Sequence, residues 1–234
     1  MHTYRRTLVR LIALTYLGIG PAANAQTLLF SENFDGPTID SDWTVITNPP
    51  HIDIDAGRLR SSENGQVLNS VAAYSGGLRI EADVEKTGIR NHTQWDLAIG
   101  LINAAGETAL GTVRFDQDEM DAVGTGSHPG AINDPVTIPS LPGISPNKGH
   151  VIFTFENSEV NFSFTNTLGE TLVAPTKSIP LDGPHRLFIN LAAHPDSPRY
   201  LDNIRVYGLP VPEPSCFLLV AAAVLAASGR RARF

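Results

Sequence analysis

Gly77-Leu78-Arg79-Ile80-Glu81-Ala82-Asp83-Val84-Glu85 alternates apolar and polar residues over eight positions. Successive side chains of an extended strand point to opposite faces, so Leu78, Ile80, Ala82 and Val84 share one side and Glu81, Asp83 and Glu85 the other. The pattern predicts a strand that covers a core with one face and meets water with the other. Ten further runs are alternating or rich in β-branched and aromatic residues: Thr27-Phe34, Trp43-Thr47, Arg58-Ser61, Val67-Tyr74, Trp95-Asn103, Thr108-Asp116, His150-Glu156, Glu159-Thr165, His185-His194 and Tyr200-Tyr207. Turn signals separate them, among them Ala56-Gly57, Ser75-Gly76-Gly77, Leu168-Gly169 and Asp182-Gly183-Pro184. With no amphipathic helix of three turns between them, these runs predict an all-β domain of two antiparallel sheets packed as a sandwich. Gly124 to Gly149, with repeated Gly and Pro, reads as a long loop across the sandwich edge.

The chain has 234 residues, 42% hydrophobic and 18% charged, with a net charge of -7 and a pI near 5.4. That composition suits one folded domain rather than a disordered chain or a multi-span membrane protein. The acidic balance argues against nucleic acid, whose binding rests largely on phosphate neutralisation.

Both ends carry sorting features. Residues 1-25 hold Arg5, Arg6 and Arg10, an uncharged run from Leu11 to Leu17, and Ala23-Asn24-Ala25. These are the parts of a secretory signal peptide, with cleavage expected before Gln26; the run is too short for a membrane anchor. Residues 209-234 contain Pro212-Glu213-Pro214, an apolar stretch from Cys216 to Ala227, and Arg230, Arg231 and Arg233. In that order they resemble the PEP-CTERM sorting signal. The resemblance implies a Gram-negative bacterium, processing of the tail by an exosortase, and transient insertion of an apolar transmembrane helix into the inner membrane. The prolines break any helix running back into the domain, and the arginines fit the cytoplasmic side. A buried C-terminal helix is the alternative, but such a helix is seldom apolar all round and closed by three arginines. Between the ends, 11 basic and 23 acidic residues leave a net charge of -12, and Cys216 is the sole cysteine, so the domain has no disulfide.

Ser31-Glu32-Asn33-Phe34-Asp35, Trp43 and Asp55-Ala56-Gly57-Arg58-Leu59 resemble the opening of concanavalin A-like (laminin G-like) jelly rolls. Gly77-Glu85 resembles a central strand of that fold, and Tyr200-Leu201-Asp202-Asn203-Ile204-Arg205-Val206-Tyr207 its closing strand, which lies beside the first. The resemblance implies a lectin-like two-sheet antiparallel jelly roll over residues 26-208. A galactose-binding-like jelly roll shares similar ends and stays open as an alternative.

Glu81-Ala82-Asp83-Val84-Glu85 also resembles the carboxylate strand of laminarinase-type glycoside hydrolases. That likeness implies Glu81 as nucleophile, Glu85 as general acid/base and Asp83 as the residue that tunes them, in a retaining mechanism. Acidic alternation on a solvated sheet face explains the same residues, and the lead-in Ala72-Ala73-Tyr74-Ser75-Gly76-Gly77 lacks the family's Trp/Pro/Gly pattern; no catalytic residue is favoured. Of the two tryptophans, Trp43 is expected in the core, whereas Trp95 is the candidate for stacking on a sugar ring. Glu32, Asp35 and Asp202 are candidate ligands for a structural calcium ion where the first and last strands meet. Asp116-Gln117-Asp118-Glu119-Met120-Asp121 reads as a second acidic loop without EF-hand spacing. The histidines lack zinc-site spacing, and neither a nucleophile elbow nor a phosphate loop is present. The sequence thus leads to an exported, non-enzymatic, lectin-like protein of the cell surface or biofilm matrix, with an extracellular polysaccharide as expected partner. The hydrolase and a ligand-free structural matrix protein are the alternatives.

Overall fold

The computed structural model describes residues 26-210 apart from 48-49, 64, 88-96, 115-118, 124-135 and 139-147. Its strands in chain order are β1 (Thr27–Glu32), β2 (Trp43–Val45), β3 (Ile52–Asp55), β4 (Arg58–Ser61), β5 (Gln66–Tyr74), β6 (Leu78–Lys86), β7 (Leu97–Asn103) and β8 (Thr108–Arg114). They continue as β9 (Glu119–Val123), β10 (Val136–Ile138), β11 (Lys148–Glu156), β12 (Glu159–Asn166), β13 (Thr171–Val173), β14 (Lys177–Ser178), β15 (His185–Leu191) and β16 (Arg199–Gly208). One sheet has nine strands, in the order β13-β12-β11-β6-β16-β4-β3, with β1 also paired to β16 and β14 to β12. The other has seven, in the order β10-β9-β8-β7-β15-β5-β2. The ends of the domain meet as expected: Glu32 of β1 lies opposite Ile204 of β16.

Each of the eleven runs read from the sequence contains a strand. Two other readings are corrected. The stretch from Gly124 to Gly149 is not loop throughout, because Val136–Ile138 pairs antiparallel with Met120–Ala122 and β11 begins at Lys148. Likewise Glu119-Met120-Asp121 belongs to strand β9 rather than to an acidic loop. Backbone pairing with β8 and β10 fixes these short segments, which local composition does not reveal.

The alternation in β6 becomes alternate burial, with Leu78, Ile80 and Ala82 inaccessible and Arg79, Glu81, Asp83 and Glu85 part-exposed. The buried face joins Leu97, Ile99, Leu101, Phe153, Phe162, Phe164, Leu187 and Ile189 in one core between the sheets. Gly111 of β8 marks their close approach: a Cβ there would lie 2.0 Å from Cδ2 of Phe162 on β12 of the other sheet. The centre of the seven-stranded sheet is also covered on its outer face. There Leu110 and Phe188, with Val67 and Ile102 beside them, form a separate apolar cluster.

Candidate functional site

The polar face of β6 lies between β11 and β16, and the register sets three cross-strand rows. Glu85 stands between Lys148 and Tyr200, Asp83 between His150 and Asp202, and Glu81 between Ile152 and Arg205. The register of β16 shifts between Asp202 and Arg205, with Asn203 held at φ 50°. Asparagine tolerates this left-handed conformation better than most residues, and such a bulge re-aims a side chain. Here it turns Asn203 onto the face, where Nδ2 donates to Asp83 Oδ2 at 2.9 Å and to Asp202 Oδ2 at 3.3 Å. The other oxygen of Asp83 lies 2.8 Å from His150 Nδ1.

Cations occupy the flanks. Arg79 reaches Glu81 at 2.6 Å, with His150 Nε2 3.9 Å from the other oxygen. Glu85 is bridged by Arg58 at 2.8 Å and Lys148 at 3.0 Å. The Arg58 guanidinium also lies 4.1 Å over the ring of Tyr200, whose hydroxyl donates to Asp55 Oδ2 at 3.1 Å. Between these groups is an open depression of about 150 Å³, lined by Arg58, Asp83, Glu85, Lys148, Tyr200 and Asn203 among others. Burial pushes the Asp202 carboxyl above its ordinary range, helped by the charges of Asp83 and Asp35 and opposed by the Asn203 N–H and Arg58. The surface can therefore offer donors and acceptors side by side to a polar ligand.

The carboxyls of Glu81, Asp83 and Glu85 do share one face, but each is held by neighbouring donors or cations. Trp43 is a core residue as expected, 6% exposed, edge-on to Phe30 at 5.7 Å and stacked on Phe34 at 6.3 Å. Trp95 lies outside the described residues, as do the signal peptide, Pro212, Glu213, Pro214 and the terminal arginines. Of the calcium candidates, Glu32 is engaged within the protein. It accepts from the Phe34 N–H at 2.7 Å and from Trp43 Nε1 at 3.4 Å. Asp35 accepts from Asn33 Nδ2 at 2.5 Å. Among the described residues no group of three or more Asp, Glu, His or Cys is arranged to hold a metal ion.

Sequence reasoning missed Arg58, Lys148, His150, Tyr200 and Asn203. One signal was available in the sequence: the apolar Leu201 and Ile204 are three apart, which breaks the period of two, and the structure places the inserted residue of a bulge between them. It also missed a second cavity, of about 340 Å³, at the opposite end of β6. Gly76 and Gly77 of the β5–β6 turn, Phe155 and Asn157 of the β11–β12 hairpin, Leu209 and His185 contribute to its wall.

No protein-family model and no curated protein matches the chain. Solved structures do. Winged bean acidic lectin complexed with methyl-α-D-galactose aligns with a TM-score of 0.55 at 8% identity, over 76% of this chain and 97% of the lectin. The carbohydrate binding module CBM66 from Bacillus subtilis aligns at 0.50 and 12% identity, over 71% and 96%. A LamA variant from Z. galactanivorans, in complex with laminaritriose and laminaritetraose, aligns at 0.53 and 14%, over 77% and 98%. At these identities the likeness defines the fold, a concanavalin A-like jelly roll of the lectin type. A shared fold does not carry function with it, so function must be argued from this chain's own sites.

Proposed function

We propose that the protein is an exported carbohydrate-binding protein, delivered through the inner membrane, processed at its tail by an exosortase and displayed at the cell surface or in the extracellular matrix. Its ligand is an extracellular polysaccharide bound on the outer face of the nine-stranded sheet. One observation carries the reading: Arg58, Asp83, Lys148, Tyr200 and Asn203 converge on one open depression, mixing charged donors, carboxylate acceptors and amide groups. Sugar hydroxyls both donate and accept, and a surface of this mixed kind matches them without requiring a single charge. The lectin and binding-module neighbours support the reading at the level of fold.

A glycan array probed with residues 26-210 tests it. Binding to one class of polysaccharide, weakened by Asn203→Ala and by Arg58→Ala, is the expected result. Absence of binding to every glycan, or binding that both substitutions leave intact, refutes it. Fractionation of cells that express the chain without residues 212-234 tests the sorting: the truncated protein should miss the surface or matrix fraction.

The laminaritriose complex among the neighbours, together with the common face of Glu81, Asp83 and Glu85, favours a hydrolase as second reading. Against it, the neighbours of Glu81 and Glu85 are Arg79, Arg58 and Lys148. Hydrolysis of a β-glucan by the purified domain, abolished in Glu81→Gln, would establish the enzyme.

A further inference from the structure

The depression around Arg58 lies at one end of a longer polar row that crosses the outer face of the nine-stranded sheet. The register makes the row continuous. Asp202 on β16 stands opposite Asp83 on β6, Asp83 opposite His150 on β11, His150 opposite Thr165 on β12, and Thr165 opposite Thr171 on β13. With neighbouring strands about 4.8 Å apart, the row runs about 19 Å across the sheet. It is open to solvent: the side chains of Asp83 and His150 are 45% and 38% exposed, Thr165 is part-exposed and Thr171 exposed. Thr165 Oγ1 and Thr171 Oγ1 lie 2.9 Å apart, so one hydroxyl donates to the other and leaves the second O–H and unused lone pairs for a ligand. A less polar row runs beside it, in which Ile152 on β11 faces Ser163 on β12 and Ser163 faces Val173 on β13. Ile152 is part-exposed there and Val173 fully so.

The charges along the row are already engaged within the protein. Glu85 holds both Arg58 and Lys148, and Asp83 sits between His150 and Asn203. Burial, helped by Asp83 and Asp35, lets the Asp202 carboxyl keep its proton to higher pH than usual. A polyanion would meet the field of a domain with net charge -12 while the two cations of the depression are bound to Glu85. A polycation would have to compete with those cations for Glu85, and with His150 and Asn203 for Asp83. Sugar hydroxyls need break none of these pairs, because they donate to carboxylates and accept from amides and threonines as the groups stand. Ile152 and Val173 offer apolar surface to the C–H faces of sugar rings. β13 ends the strand order of the sheet, so the row runs out to an open edge and encloses no chain end. We propose that the ligand is an uncharged linear polysaccharide that lies across the strands from the Arg58 depression to Thr171, recognised along several consecutive sugar residues rather than at its terminal one. The proposal rests on the reading of this face as a polysaccharide surface, and it adds Thr165 and Thr171 as the residues that set the length of chain bound.

The test compares binding of the full chain at low salt to neutral laminarin, galactan and mannan with binding to alginate, a polyanion, and chitosan, a polycation. Oligosaccharides of the neutral polymer bound best, from the monosaccharide to the hexasaccharide, then give affinity against length. A neutral polymer should bind more tightly than either charged one, and affinity should rise with length. Thr165→Val combined with Thr171→Val removes both hydroxyls and keeps the β-branched shape that suits a strand. It should weaken hexasaccharide binding by about threefold to tenfold, the worth of one hydrogen bond, and leave disaccharide binding unchanged. The melting temperature should not move, since both positions are on the surface; should it fall, Thr171→Val alone, at the sheet edge, takes the place of the double variant. The proposal is overturned if a charged polymer binds at least as tightly as the neutral ones, if affinity does not depend on length, or if the variant binds the hexasaccharide as the wild type does. In each of these cases, binding that Asn203→Ala and Arg58→Ala still weaken leaves the polysaccharide surface standing, whereas absence of binding to every polymer overturns both.

Discussion

Replacing Arg58 by alanine tests whether the stacked guanidinium helps to hold the outer face of the nine-stranded sheet together or merely decorates it. The side chain makes two separable interactions. Its ion pair with Glu85 spans 2.8 Å, but the partners are 28% and 23% exposed, so solvent screens the pair and its contribution is about 0.2 to 1 kcal/mol. Its position 4.1 Å over the Tyr200 ring adds about 0.5 to 1 kcal/mol. The loss is limited because Lys148 stays 3.0 Å from Glu85, so the substitution does not strand an unpaired carboxylate. Arg58→Ala should therefore destabilise by about 1 to 2 kcal/mol, and in a domain of this size each kcal/mol lowers the melting temperature by about 2 to 4 °C. Thermal unfolding followed by circular dichroism gives the number, and Tyr200→Leu alone and combined with Arg58→Ala gives the coupling. Arg58→Lys, which keeps charge but lacks the planar stack, should fall between wild type and alanine. A change below about 0.5 kcal/mol, the usual range for an uninvolved surface residue, or zero coupling to Tyr200, would refute the reasoning.

Gly111→Ala forces a methyl group to within 2.0 Å of Phe162 and should destabilise by about 1 to 3 kcal/mol; Phe162→Leu in the same chain should recover part of the loss, as denaturant midpoints would show. The carboxyl of Asp202 holds its proton to higher pH in the folded state than in the unfolded one. The stability this gives is complete below the unfolded value and is lost as pH rises through the raised folded value. Asp202→Asn should remove that decline, so melting curves across acid to neutral pH should be flatter than wild type and higher near neutrality. The carboxylates of Asp35 and Asp202 lie near enough for their charges to interact, so a calcium ion held where the first and last strands meet should raise the melting temperature, and an unchanged value at millimolar calcium would remove that site. Deleting residues 212-234 should not lower the melting temperature of the domain, and a large fall would place the apolar tail in the core.

Legibility followed the range of each interaction. Within one strand, period-two patterning is enough: β6 could be assigned a buried and a wet face before any neighbour was known, and both faces are as the alternation requires. The pairing of β1 with β16 was legible through resemblance, because the two end segments carry recognisable residues. Other neighbours were not, since nothing local in Arg58 says that β4 lies beside β16 and within reach of Glu85, 27 residues later. The short strands β13 and β14 have too few residues for a period to show, and pairing with β12 alone defines them.

The same distinction explains why the carboxylates misdirect when read alone. Glu81, Asp83 and Glu85 stand out because they are adjacent in sequence, yet the chemistry of their face is set by what β4, β11 and β16 bring to it. Those strands bring Arg58, His150, Lys148 and Asn203, converting an acidic strip into a mixed surface of paired charges and amides. His185 is the opposite case. Nothing in His-Arg-Leu-Phe-Ile-Asn-Leu distinguishes it, and it becomes unusual only when folding leaves its Nδ1 buried without a hydrogen-bond partner. A carboxylate strip visible in sequence is thus weak evidence for a site until its neighbouring strands are known, because cross-strand pairing decides whether its charges meet a ligand or one another.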